Sequence, residues 1–182
     1  NPERYLVNIY QGGLGLPDEA YYHEEKHAEV RDAYVPFIAE MLELAGWSAA
    51  DADAAAHHIY NFELALSKHH WTVVESRDAE KVYNLRKFDE LQKLSGTFDW
   101  NLWLKGAGLG KNVLEESVVM MPSFLEGLDS VYTEANLESI KLWIAFHLIN
   151  DMAPYLHEPL INARFAFYGR RLTGQPEMRA RW

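Results

Sequence analysis

Gln11-Gly12-Gly13-Leu14-Gly15-Leu16-Pro17-Asp18-Glu19-Ala20-Tyr21-Tyr22 holds the turn from which the fold is read, and it runs directly into His23-Glu24-Glu25-Lys26-His27. Glycines at 12, 13 and 15 allow a sharp turn or a close backbone approach. Pro17 has no N–H to donate and suits the first turn of a helix. Upstream, Tyr5-Leu6-Val7-Asn8-Ile9-Tyr10 is rich in strand formers. The stretch therefore predicts a strand, a glycine turn and a helix starting near Asp18. A glycine turn between strand and helix can cradle phosphate. The spacing here is not G-x-G-x-x-G, and no Lys-Ser/Thr pair follows, so the turn is read as structural.

His23-Glu24-Glu25-Lys26-His27 spells the His-Glu-x-x-His motif of zinc proteases. On a continuous helix, residues four apart share a face, and Glu24 would be the general base beside a metal-bound water. Two imidazoles are half a site, because catalytic zinc takes a third protein ligand and keeps an open position. The extended form of the motif fails, since Val30 and Ala33 stand where Gly and His belong, and no Glu-x-x-x-Asp helix exists in the chain. A small self-contained zinc protease would need a distant third ligand such as Glu138 or His147. The competing reading is a solvated run of charge opening a helix.

Further along, Val30, Tyr34, Phe37, Ile38, Met41 and Ala45 recur at helical spacing over about Glu24 to Ala45, with Pro36 inside and Gly46 as the stop. Ser48 to Asp51 reads as an N-cap box for a helix whose apolar face carries Ile59, Phe62 and Leu66. His57-His58 and His69-His70 are adjacent pairs that cannot face one another on a helix, so they are read as boundary residues. Arg77-Asp78 and Tyr83-Asn84 look like loop anchors. Phe88 to Leu94 predicts a short helix ended by Gly96. Phe98, Trp100 and Trp103, with Leu104, are read as an aromatic core group on another short helix, and Gly106, Gly108 and Gly110 as a link. Ser117 to Met121 is the second strand, closed by Pro122 and able to pair with Tyr5–Tyr10. Phe124 to Val131 predicts a short helix. Leu137 to Leu156 is apolar nearly all round and predicts a long buried helix, within which His147 is a hydrogen-bonded core residue. A last helix carries Leu160, Ala163, Phe167 and Leu172, with Arg164, Arg170 and Arg171 snorkelling or paired with acids, and Gly174 stops it. Pro176 opens another helix running toward Trp182. The fold class is mainly α: a multi-helix domain with a small two-stranded β element.

The 182 residues suit one domain with an ample core, and 48% of them are apolar, which excludes disorder. A net charge of −10 with interleaved signs argues against nucleic acid or anionic membrane as main partner. There is no cysteine, so neither a disulfide nor a thiol nucleophile is available. No apolar run is long enough to span a membrane. Asn1-Pro2-Glu3 is not a signal peptide, and Asn1 is no initiator, which suggests an excised piece.

Taken in order, Tyr5-Leu6-Val7, Gln11, Gly13-Leu14-Gly15-Leu16-Pro17, Tyr21-Tyr22, Arg77-Asp78, Tyr83-Asn84, Phe98 with Trp100, Val118-Val119, Pro122, Phe124-Leu125, Leu128, Phe165, Phe167-Tyr168, Gly174 and Arg181-Trp182 resemble the neprilysin and endothelin-converting-enzyme family of zinc metallopeptidases, in its bacterial branch. The resemblance covers nearly the whole chain. It implies part of the N-terminal helical domain that closes over the catalytic domain as a lid and encloses a chamber admitting peptides but not folded proteins. Zinc would belong to that catalytic domain, on a His-Glu-x-x-His helix and a Glu-x-x-x-Asp helix beyond the segment seen here. Position 23 falls in the family's variable surface stretch after the paired tyrosines. Asn162-Ala163-Arg164-Phe165 only superficially resembles the family's Asn-Ala-Phe/Tyr substrate anchor. Animal members carry cysteines near the end of this region, so their absence fits a bacterial protein. The expectation is a neprilysin-like fragment with no catalytic, cofactor-binding or metal residue of its own. Its partners would be the catalytic domain of the same polypeptide and peptide substrates. The rival readings are the small zinc protease on His23, Glu24 and His27, and a stand-alone helical binding module.

Overall fold

The computed structural model describes residues 5–178, so Asn1-Pro2-Glu3 and the closing Arg181-Trp182 lie outside the described residues; the helix expected to open at Pro176 has not begun by Met178, where the described residues end. The described residues form two compact units. One comprises the residues up to Leu14 and Ala65–Asn136, the other Gly15–Leu64 and the residues from Leu137 onward.

In the first unit, strands β1 (Val7–Ile9), β2 (Leu85–Lys87) and β3 (Glu116–Val119) make one sheet in the order β1-β3-β2. The expected pairing of the two apolar strands is present: β1 runs parallel to β3, with Val7 opposite Ser117 and Ile9 opposite Val119. The sheet has three strands instead of the two expected. β2 lies antiparallel to β3, with Lys87 opposite Glu116. Lys87 then leads into α4 (Phe88–Leu94), its N–H donating to Glu90 Oε2 at 2.9 Å. α5 (Trp100–Gly106) is capped by Asp99, which accepts from the Leu102 N–H at 3.0 Å. α6 (Pro122–Val131) starts on the proline that closes β3. Leu91, Trp100, Leu104, Val119, Phe124 and Leu128 form the apolar core of this unit. The loop anchors behave as read. Asp78 Oδ1 accepts from the N–H groups of Glu80 and Lys81, and the carbonyl of Asn84 accepts from the Val119 N–H at 2.8 Å.

The second unit opens with the short α1 (Ala20–His23), followed by α2 (Ala28–Leu44) and the start of α3 (Ala49–Ser67). Pro36 lies within α2, and the helix continues past it. α2 ends where Gly46 takes φ +99°, which lets Trp47 N–H reach the Leu42 carbonyl at 3.1 Å and Gly46 N–H reach Glu43 at 2.9 Å. Ser48 Oγ accepts from the Asp51 N–H, the expected cap of α3.

α7 (Leu137–Met152) is long and apolar, but only Phe146 and Asn150 are buried along it. Apolarity on every side was expected to mean burial on every side; one side instead faces solvent, with Ile144 54% and Leu148 62% exposed. The helix is also shorter than expected, because a 3-10 turn at Ala153–Tyr155, containing Pro154, follows it. α8 (Glu158–Arg164) continues into a π-helical stretch, Phe165–Leu172. Phe37 stacks on Phe167 with ring centroids 4.4 Å apart, and Tyr34 and Phe146 complete this aromatic core. Of the three arginines, Arg171 pairs with Glu29, whereas Arg164 and Arg170 lie over the rings of Tyr168 and Phe165.

Candidate functional site

The helix that a His-Glu-x-x-His site requires is broken at its second residue. α1 ends at His23, Glu24 is extended at φ −89°, ψ 139°, and a 3-10 turn covers Glu25–His27. This corrects the expectation of one continuous helix from Glu24. The break has a local cause. Arg31, on the first turns of α2, points its guanidinium back to the carbonyls of Tyr21 at 3.4 Å and Glu24 at 3.0 Å. Those carbonyls are thereby satisfied without a continuing helix.

The side chains follow from that geometry. His27 stacks on Tyr21, ring centroids 3.9 Å apart and 14° from parallel, while His23 is exposed. The carboxylate of Glu24 pairs with the Lys26 ammonium, which holds it below the usual carboxylate range. A general base needs the opposite shift, toward neutrality. Of the suggested third ligands, Glu138 pairs with Lys141 and His147 turns inward to Glu63. Among the described residues no three His, Asp or Glu side chains are placed to hold a metal ion. The residues present do not fit a zinc site.

The polar centre that the fold does build lies in the second unit, on a residue that pattern reading passed over. Glu63 is fully buried on α3, between Phe62 and Leu66 of the apolar face. Its Oε2 accepts from the Tyr22 hydroxyl at 2.6 Å, the Tyr34 hydroxyl at 3.0 Å and the Gly15 N–H at 3.2 Å. Its Oε1 lies 2.7 Å from His147 Nε2, in position for that nitrogen to donate. Tyr22 Oη in turn accepts from the Leu16 N–H at 3.2 Å. Tyr168 donates to the Gly15 carbonyl at 3.0 Å, and Asn150 donates to Tyr168 at 3.3 Å. A Cβ on Gly15 would coincide with the Tyr34 hydroxyl, so only glycine fits there. Burial, reinforced by the negative charge of Glu63, pushes the hydroxyls of Tyr22, Tyr34 and Tyr168 well above the ordinary tyrosine range.

The glycine turn of the sequence is thus tied through the N–H of Gly15 to a buried carboxylate and through its carbonyl to a tyrosine. Four donors of the protein converge on Glu63, which makes this a structural hub. His147 is the hydrogen-bonded residue expected. One signal for Glu63 was available: an acid at a position that helical periodicity assigns to the apolar face.

An open groove of roughly 750 Å³ lies beside α2 and α3, lined by Arg31, Glu40, Glu43, Asp53, His57 and Tyr60. Its charges are mixed in sign, and the adjacent His57-His58 pair is exposed, as read. In the first unit, His70 Nε2 lies 3.1 Å from the Gly12 carbonyl and His69 Nε2 3.0 Å from Ser130 Oγ, so this second pair also sits at a boundary.

These features define a mainly helical, signature-bearing protein segment whose polar centre holds a turn in place. The chain belongs to peptidase family M13, whose N-terminal model matches residues 1–182. It is 29% identical over 163 residues to a neutral endopeptidase of Lactobacillus helveticus, covering 90% of this chain and 25% of that protein. It is 25% identical over 174 residues to neprilysin-3 of Drosophila melanogaster, covering 90% and 22%. Among solved structures it matches the zinc metalloprotease Zmp1 of Mycobacterium tuberculosis in its open state, with a TM-score of 0.92 and 41% identity over 97% of this chain and 28% of that one. The neprilysin-like, bacterial character expected from the sequence is therefore found. The chain spans about a quarter of the length of these relatives.

Proposed function

We propose that residues 1–182 are a non-catalytic part of the N-terminal helical lid domain of a zinc metalloendopeptidase, and that they restrict which peptides reach a zinc site carried by the catalytic domain of the same polypeptide. The observation that carries this reading is the broken motif: His23 and His27 sit on separate elements, and Glu24 is engaged by Lys26. The family match along the whole chain supports it, as does the likeness to a solved zinc metalloprotease. A wall segment has to keep its shape while peptides pass, and the Glu63 hub supplies rigidity of that kind by fixing the signature turn from several directions. The test is size discrimination by the full-length polypeptide. It cleaves short unstructured peptides and leaves the same sequence intact inside a folded host protein. Loosening the hub by Gly15→Ala relaxes that discrimination. Equal cleavage of both substrates by the unaltered protein would contradict the reading.

A further inference from the structure

α7 carries apolar side chains on two opposite faces. Phe146 and Asn150, 0% and 5% exposed, face the interior of the second unit. At 3.6 residues per turn, Leu137, Ile144, Leu148 and Met152 fall together on the other side. They are 48%, 54%, 62% and 43% exposed, and Leu156 beyond the 3-10 turn is 44% exposed. Only Lys141 and Asp151 interrupt this stripe with charge, and Lys141 is drawn aside to Glu138. A helix at the surface of a finished protein keeps one polar face; a helix apolar all round is one that is covered all round. Scattered exposed apolar residues need no explanation, but a stripe four turns long does.

We infer that the Leu137–Ile144–Leu148–Met152 face of α7 is an internal docking surface, covered in the full-length protein by a segment of the same polypeptide outside residues 1–182. This rests on the reading of the chain as part of a larger peptidase. Length argues for that occupant: three quarters of the relatives' sequence lies outside the part this chain matches, so ample polypeptide exists to cover a helix face. Shape argues the same way. Side chains spaced four and seven apart form ridges of the kind a second helix packs against, whereas an extended peptide takes its hydrogen bonds from a strand edge.

The chain has no cysteine, so a single introduced thiol reports one position. Leu148→Cys is made in the 182-residue chain and in the full-length protein, and alkylation at that position is followed by peptide mass mapping. The expected result is rapid labelling in the short chain and labelling slower by about tenfold or more in the full-length protein, with or without peptide substrate. Met152→Cys, on the same face, repeats the measurement should the first variant misfold. Equal rates in the two proteins overturn the inference. So does protection of the short chain that grows with its concentration, which would assign the face to a second copy. Protection that appears only when peptide is added would assign it to substrate and also overturn it. Labelling requires neither zinc nor turnover, so an uncovered face can be told apart from failure of the lid reading, which size discrimination reports.

Discussion

The hydroxyl of Tyr34 occupies the space that a Cβ at position 15 would fill, and from there it donates to Glu63. The glycine of the signature turn is thus set by a residue nineteen positions later in the sequence, on another element. Gly15→Ala forces the fully buried Tyr34 off its acceptor. The expected loss is about 2–4 kcal/mol, combining overpacking with a broken buried hydrogen bond. Urea unfolding of the two proteins measures it, and the structure predicts no comparable cost for Gly12→Ala, whose Cβ would meet nothing.

Glu63→Gln keeps the shape and replaces an acceptor oxygen with a donor. Three hydroxyl or imidazole donors and one backbone N–H converge on the carboxylate, so the amide nitrogen fits only if a tyrosine hydroxyl turns or His147 changes tautomer, which breaks the native set of hydrogen bonds. Destabilisation of about 2–3 kcal/mol is expected by urea unfolding. A cost below the scatter of the measurement would show that the hub does not hold the second unit together.

Alkali should unfold this protein through the same hub. Burial, and next the charge of Glu63, raise the folded-state values of Tyr22, Tyr34 and Tyr168. The unfolded chain releases these protons first, at about pH 10. The stability they contribute is complete below that pH and is lost as pH rises past it, by about 1.4 kcal/mol per pH unit for each hydroxyl. Tyr22→Phe should make the decline shallower by one proton, as read from unfolding curves between pH 9 and 11.

In the first unit His70 titrates in the opposite sense. Burial, which outweighs the hydrogen bond to Gly12, lowers its folded-state value, and neighbouring His69 lowers it further. The unfolded chain takes up that proton first as pH falls through about 6.5, so stability is full above this pH and declines below it. His70→Gln removes one titrating group and should flatten the decline between about pH 7 and 5 relative to the parent protein. An unchanged slope would count against the half-buried setting of the imidazole.

Local pattern made much of this fold legible. The apolar strands near Val7 and Val118, the stop at Gly46, the cap at Ser48 and the proline that closes β3 each rest on a few adjacent residues. β2 was hidden because Leu85-Arg86-Lys87 is short and charged, and it becomes a strand only through pairing with β3. The break at Glu24 was hidden because its cause, Arg31, acts through side-chain bonds to carbonyls that periodicity does not register. Glu63 was passed over because one acid on an apolar stripe reads as noise until its donors, from Gly15 to His147, are seen to converge. α7 misled for a physical reason: periodicity reports which faces are apolar, not whether the polypeptide at hand covers them.

The central claim is that the zinc chemistry of this family does not take place on the side chains of this segment. Zinc content of the purified 182-residue chain after exhaustive dialysis, with peptide digestion assayed on the same sample, tests it most directly. The expected result is no stoichiometric zinc and no cleavage, unchanged in His23→Ala. Tightly held stoichiometric zinc that His23→Ala or His27→Ala abolishes, with cleavage lost alongside it, would contradict the account.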